Sequence, residues 1–186
     1  GVILSSAAKE YLKVYGVLVG KNPLIFTNND SGYETAIEFK KNGISPIVLD
    51  TRKNPSSEII NEAKNLNIDI KFSHVVVAAK GYKKVKSADI AKISEDKKEL
   101  SQIENISCDC ICVSGFWTPT MHLASQSGNK TKFNEEIDAF IPSQPKQNET
   151  TLGSAKGVFT LEETLKTSFE KGFELSKKIT KKENKI

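Results

Sequence analysis

Leu24-Ile25-Phe26-Thr27-Asn28-Asn29-Asp30-Ser31-Gly32, followed by Pro46-Ile47-Val48-Leu49-Asp50, is the stretch that decides the fold. Both apolar runs lack polar alternation, the pattern of strands covered on both faces. Between them Thr27 to Asp30 reads as a loop, Ser31 can cap a helix over 32–41, and Asn42-Gly43 ends it. A polar loop, a helix over 56–65 and a third strand over 68–72 complete a β-α-β-α-β order. Strands joined by helical crossovers pair in parallel, with right-handed connections.

That order with an acid closing the second strand is the Rossmann layout, in which the acid holds a nucleotide ribose. Asp50 stands in that position, roughly 20 residues past the loop. Set against the fingerprint G-x-G-x-x-G, the loop keeps only Gly32, the glycine of close helix–strand packing. Thr27 and Asn29 replace the other two. Asn tolerates left-handed backbone, so the turn survives, but the Asn29 side chain enters the space of a pyrophosphate and Asp30 adds negative charge beside it. Thr27, Asn28, Asn29, Asp30, Ser31, Gly32 and Asp50 are thus the candidate cofactor-binding residues, with Gly115 at the end of a later strand. Asp50 selects against a 2′-phosphate, so NAD is the expected dinucleotide if one binds. Arg52 is the chain's single arginine. Its guanidinium can grip a phosphate or stack on adenine, or it can simply pair with Asp50 or a nearby Glu.

Outward from this centre, Ser5–Tyr15 reads as a short amphipathic helix ended by Gly16, and Gly20-Lys21-Asn22-Pro23 turns the chain. Residues 74–80 and 83–93 read as an antiparallel meander turning at Gly81-Tyr82, then a charged tip over 94–101 and a buried strand over 106–113. Cys108, Cys110 and Cys112 recur at period two, which on one strand places all three sulfurs on one face. A short helix over 120–126 follows Phe116-Trp117-Thr118-Pro119, with Trp117 read as a packing residue. Residues 127–150 are polar and loop-rich, anchored by Phe133 and Phe140-Ile141. The last helix, over 157–178, carries Leu161, Leu165, Phe169 and Phe173, and residues 177–186 form a Lys-rich solvated tail. The expected division is 1–22 as helix and linker, 23–126 as the degenerate dinucleotide-type domain, 127–156 as a connection and 157–186 as helix and tail.

Composition sets the class. The chain has 186 residues and 20.5 kDa, 38% hydrophobic and 27% charged, enough to bury about 70% of its unfolded surface. Frequent apolar runs argue against disorder, and none approaches a membrane span. Gly1 opens without Met or a basic region, so no signal peptide is read. The net charge of +4 is dispersed among interleaved Lys, Asp and Glu, which argues against a nucleic-acid partner. Three cysteines and two histidines lack metal-ligand spacing, so no metal is expected; buried reduced thiols fit a cytoplasmic protein. Neither histidine has a recognisable nucleophile partner and no G-x-S-x-G occurs, so no catalytic residue is assigned.

Three stretches resemble the alpha subunit of heterotetrameric sarcosine oxidase: Leu24-Ile-Phe-Thr-Asn-Asn-Asp-Ser-Gly-Tyr33, His74-Val-Val-Val-Ala-Ala-Lys-Gly-Tyr-Lys-Lys-Val85 and Val113-Ser-Gly-Phe-Trp-Thr-Pro-Thr-Met-His-Leu-Ala-Ser-Gln-Ser-Gly128. The resemblance runs from Gly1 to Leu161, and loss of the fingerprint glycines looks like a trait of that family. It implies an α/β fold, a Rossmann-like parallel sheet with an antiparallel meander, as in the inserted NAD domain of flavoproteins with two dinucleotide-binding domains. It also implies a fragment of a larger subunit, with the helix from Gly157 returning to an upstream domain. NAD would lie mainly on that upstream half, touched here by Ala155, Gly157 and Leu161 at a helix N-terminus. FAD or FMN and folate would belong to other parts of the complex. The partners implied are the same subunit's other domains, the beta subunit and further subunits. The flavoprotein pattern carries an acid before the returning helix; Gly153-Ser154-Ala155-Lys156 departs from it, against a flavin here. The implied activity, in the complex and not in this fragment, is oxidative demethylation of sarcosine to glycine, a one-carbon unit and hydrogen peroxide. Two other readings stay open, a working NAD(H)-binding domain of a flavin-dependent oxidoreductase and a non-enzymatic subunit-interaction scaffold.

Overall fold

The computed structural model describes residues 1–96 and 98–183, with side chains described through residue 179, and divides into two compact units, Gly1–Phe116 and Trp117–Ile186. In the first, β1 (Val2–Leu4), α1 (Ser5–Tyr15), β2 (Pro23–Thr27), α2 (Ser31–Lys41), β3 (Ile47–Asp50), α3 (Glu58–Asn65) and β4 (Asp69–Phe72) come in that order. Then follow β5 (His74–Gly81), β6 (Val85–Lys92), β7 (Glu104–Ser107) and β8 (Cys110–Ser114). The main sheet runs β1-β8-β2-β3-β4, wholly parallel, and β5-β6-β7 form a separate antiparallel meander. The fold is therefore α/β with a Rossmann-like sheet, as the sequence predicts.

The uniform apolar strands are explained by layers on both faces of the sheet. Ile25, Val48, Cys110 and Cys112 point into one core with Tyr33, Ala36, Phe39 and Ile60 from the helices. Leu24, Leu49 and Ile111, their neighbours in sequence, point into the other core with Ala88 and Ile90 of the meander. Each fully buried Leu, Ile, Val or Phe side chain stabilises the fold by about 1.5–3 kcal/mol. Helix α1 stops at Gly16, whose left-handed φ of 64° lets its N–H and that of Val17 bond back to Leu12 and Tyr11 carbonyls.

The expected strand over 106–113 is two strands in different sheets. A corner at Cys108-Asp109 divides them, where the Asp109 carboxylate accepts the backbone N–H of Lys21 (2.8 Å) and Asn22 (2.9 Å). Cys108 accordingly faces the meander core while Cys110 and Cys112 face the helices, so the three sulfurs do not share a face. Val2–Leu4, within the stretch read as helix and linker, form the edge strand of the parallel sheet, paired with β8.

In the second unit, α4 (His122–Gln126) precedes a hairpin of β9 (Lys130–Asn134) and β10 (Ala139–Gln144), a 3₁₀ turn at Gly153–Lys156 and α5 (Leu161–Glu183). The stretch read as loop thus contains a hairpin. Its first strand, β9, is polar and largely exposed and lacks the alternation that marks a half-buried strand, while β10 buries Ala139, Ile141 and Pro142. Ile141 is buried, whereas Phe133 and Phe140 are half-exposed and pack edge to face on each other at 5.3 Å. Gly157, at φ 87°, ends the 3₁₀ turn, so α5 starts at Leu161 and not at 157. Residues 177–183, read as tail, continue the helix; 184–186 lie outside the described residues.

Candidate functional site

The carboxyl ends of β2, β3 and β8 bring most of the sequence-predicted residues together. Strand order reverses between β2 and β8, the switch point where open α/β sheets hold their ligands. Thr27 closes β2 and is buried; its hydroxyl donates to the Asn29 carbonyl (2.8 Å) and accepts the Asn29 N–H (3.2 Å). A methyl on Gly32 would come within 2.6 Å of the Thr27 Cβ, which is why this glycine is kept. The Asn28 N–H reaches the Ser114 carbonyl across the switch at 3.4 Å.

Asn29 spans from the end of β2 to the residue after β8. Its Nδ2 donates to the carbonyl of Gly115 and to Asn28 Oδ1 (3.0 Å). Its Oδ1 accepts the backbone N–H of Ser31 (3.0 Å), the Ser31 hydroxyl (2.6 Å) and the Ser114 hydroxyl (3.3 Å). The two serine hydroxyls are 2.6 Å apart. Asp30 stands at the N-cap of α2, where its carbonyl accepts the Tyr33 N–H at 3.0 Å but its side chain bonds none of the helix's N–H groups; its Oδ1 lies 2.8 Å from Arg52 Nη2.

Asp50, fully buried at the end of β3, has its acceptor positions taken. The Tyr33 hydroxyl donates to Oδ2 at 2.7 Å and the Arg52 N–H to Oδ1 at 2.9 Å. The guanidinium adds Nε at 3.1 and 3.2 Å to the two oxygens and Nη2 at 2.8 Å to Oδ2. A carboxylate offers about four lone-pair sites, and these donors occupy them. Burial, then the Asp50 hydrogen bond and charge, drive the Tyr33 hydroxyl far above its ordinary range. Burial works against the Arg52 cation, but the two carboxylates outweigh it and hold its proton more tightly than usual. Of the two readings of Arg52, pairing with Asp50 is what the structure displays.

The residues present do not fit a dinucleotide. The ribose acid is saturated from inside, the pyrophosphate space holds an amide, and a carboxylate stands beside it. Next to this cluster, over β3 and β4, opens a crevice of about 770 Å³ whose walls include Thr51, Arg52, Phe72, Lys92 and Phe116. Two of the cations on its walls are paired, Lys53 with Glu95 at 2.6 Å and Arg52 with its two aspartates.

Ala155, Gly157 and Leu161 belong to the second unit. Ala155 is in the 3₁₀ turn and Leu161 opens α5, whose first turn already carries Glu162 and Glu163 against the positive end of the helix dipole. Trp117 packs at 6.0 Å on Phe159. Among the described residues, no cluster of His, Cys, Asp and Glu could hold a metal ion. Cys110 and Cys112 are buried free thiols with sulfurs 3.8 Å apart. Sequence reasoning missed Tyr33 and Ser114. Tyr33 follows Gly32 directly, and one helical turn places it under the end of the next strand, which was the available signal.

No family model matches the chain. It is 28% identical over 169 residues to sarcosine oxidase subunit alpha of Corynebacterium sp. (strain P-1), covering 90% of this chain and 17% of that protein. It is 29% identical over 157 residues to sarcosine oxidase subunit alpha of Rhizobium meliloti (strain 1021), covering 83% and 15%. The chain is similar to sarcosine oxidase alpha subunits. It spans about a sixth of their length. Among solved structures, thioredoxin reductase from Lactococcus lactis superposes with a TM-score of 0.61 at 16% identity, over 86% of this chain and 51% of that one. Thioredoxin reductase from T. acidophilum gives 0.57 at 13%, over 84% and 52%. The flavoprotein disulfide reductase RclA from Escherichia coli gives 0.61 at 14%, over 89% and 37%. At these identities the likeness is one of fold.

Proposed function

We propose that this chain is a nucleotide-binding-type structural domain within a longer alpha subunit of a sarcosine oxidase-type oxidoreductase, with no active site of its own. One observation carries the reading: Asp50 and Asn29, the two positions that decide dinucleotide binding, are fully engaged by the chain's own groups. Oxidative demethylation of sarcosine, with its flavin, folate and NAD, then belongs to parts of the complex outside this chain. The location is cytoplasmic. No helix among the described residues is long and apolar enough to cross a membrane.

The scaffold reading is supported by α5. Leu161, Leu165, Phe169 and Phe173 recur every fourth residue and are each more than half exposed, a face suited to other domains of the same subunit or to a beta subunit. Calorimetric titration of the chain with NAD tests the proposal. It predicts no saturable heat, and sub-millimolar binding would instead establish a working NAD domain.

A further inference from the structure

The geometry points to Asn29 and Arg52 as built-in stand-ins for a dinucleotide, each making the hydrogen bonds of one of its parts and holding the ends of β2, β3 and β8 in an arrangement that needs no ligand. This inference rests on the reading of the crevice as closed to dinucleotides, and it adds what closes it.

In a Rossmann site the ribose hydroxyls donate to the acid after the second strand, and pyrophosphate oxygens accept N–H groups at the start of the following helix. Both roles are filled here by side chains. Arg52 supplies Asp50 with the donors that a ribose diol would supply, through Nε and Nη2. Asn29 Oδ1 accepts the N–H of Ser31, the first residue of α2, as a phosphate oxygen would. Its Nδ2 also fastens the loop to Gly115 across the switch point.

Arg52 also joins the two segments that a bound nucleotide would bridge, because Nη2 lies 2.8 Å from both Asp50 and Asp30. Asp30, repulsive to a phosphate, is here the second anchor of the guanidinium. Groups tethered a few residues from their targets act at an effective concentration that a free ligand of ordinary affinity does not reach. The domain is therefore fixed in a ligand-bound-like form, and its stability is uncoupled from any nucleotide pool.

The test is to empty the subsites in the 186-residue chain with Asn29→Gly, Asp30→Ser and Arg52→Ser together. The expected result is a folded variant that melts below the parent and regains several degrees with NAD at about 10 mM, with at least a tenfold gain in NAD affinity by calorimetry. The parent should show no response. A folded triple variant that neither binds NAD nor melts later with it overturns the stand-in role. If the triple variant fails to fold, Arg52→Ser alone is titrated with adenosine, whose ribose diol should bind the freed Asp50; no adenosine response overturns the inference equally. Saturable NAD binding by the parent would overturn the underlying reading instead, so the two failures are distinguishable.

Discussion

Removing the Tyr33 hydroxyl should cost the first unit a large fraction of its stability, although the ring stays in place. Tyr33 and Asp50 are both fully buried and their hydrogen bond is 2.7 Å long. A hydrogen bond to a charged acceptor contributes about 1.5–3 kcal/mol, so Tyr33→Phe should lose about 2 kcal/mol. Asp50→Ala goes further, because it strips the Tyr33 hydroxyl, the Arg52 N–H and the guanidinium of their acceptor. Breaking a buried pair costs about 3–5 kcal/mol. The lower end applies, since the Arg52 side chain is a third exposed and keeps Asp30 as a partner. About 3 kcal/mol is expected. Because one bond is lost in both variants, the double variant should lose about 2 kcal/mol less than the sum. Urea unfolding with a shared slope measures all three, and melting should fall by about 4 °C per kcal/mol. A Tyr33→Phe loss under about 0.5 kcal/mol, or losses that simply add, would refute the buried network as a source of stability.

Three more outcomes follow from the same geometry. Asp109→Ala frees the N–H groups of Lys21 and Asn22 and should cost about 1.5 kcal/mol. Burial raises the Asp109 pKa, yet those two N–H donors win and hold it below the ordinary aspartate value. Its contribution is therefore complete above about pH 4 and fades as pH falls through the lower folded value, so acid titration of the variant should show a shallower loss than the parent. Gly32→Ala puts a methyl against Thr27 and should cost about 1–3 kcal/mol by thermal melting. Phe169→Glu on the exposed face of α5 should shift stability by less than about 0.5 kcal/mol while abolishing co-purification with the remaining domains and subunits; retained co-purification would remove α5 from the proposed interface.

The parallel sheet was legible because its signal is local. Leu24-Ile25-Phe26 and Ile47-Val48-Leu49 are apolar without alternation, and the two cores packed on opposite faces of the sheet account for that. The meander was legible too, from the turn at Gly81-Tyr82 between two strand-length runs. The corner at Asp109 was not. A period-two pattern continues unbroken from Ile106 to Cys112 although the chain changes sheets, because the carboxylate that turns it binds N–H groups almost ninety residues earlier. The hairpin at β9 and β10 was hidden for a different reason: Lys130-Thr-Lys-Phe-Asn134 holds its pairing by backbone bonds with little burial, so no hydrophobic period marks it. At the candidate site, the loop's departures from the fingerprint were plain in the sequence. The Arg52–Asp50 pair was among the readings the sequence allowed, whereas the partners of Asn29 and the second anchor of Arg52 were not legible, since Gly115, Ser114 and Asp30 meet them only in the fold.

Amide NMR of the 186-residue chain titrated with NAD tests most directly whether the nucleotide subsites are filled from within. The N–H resonances of Asn29, Ser31 and Arg52 should stay in place throughout, because each N–H is already engaged within the chain. Saturable shifts of those three resonances would contradict that filling.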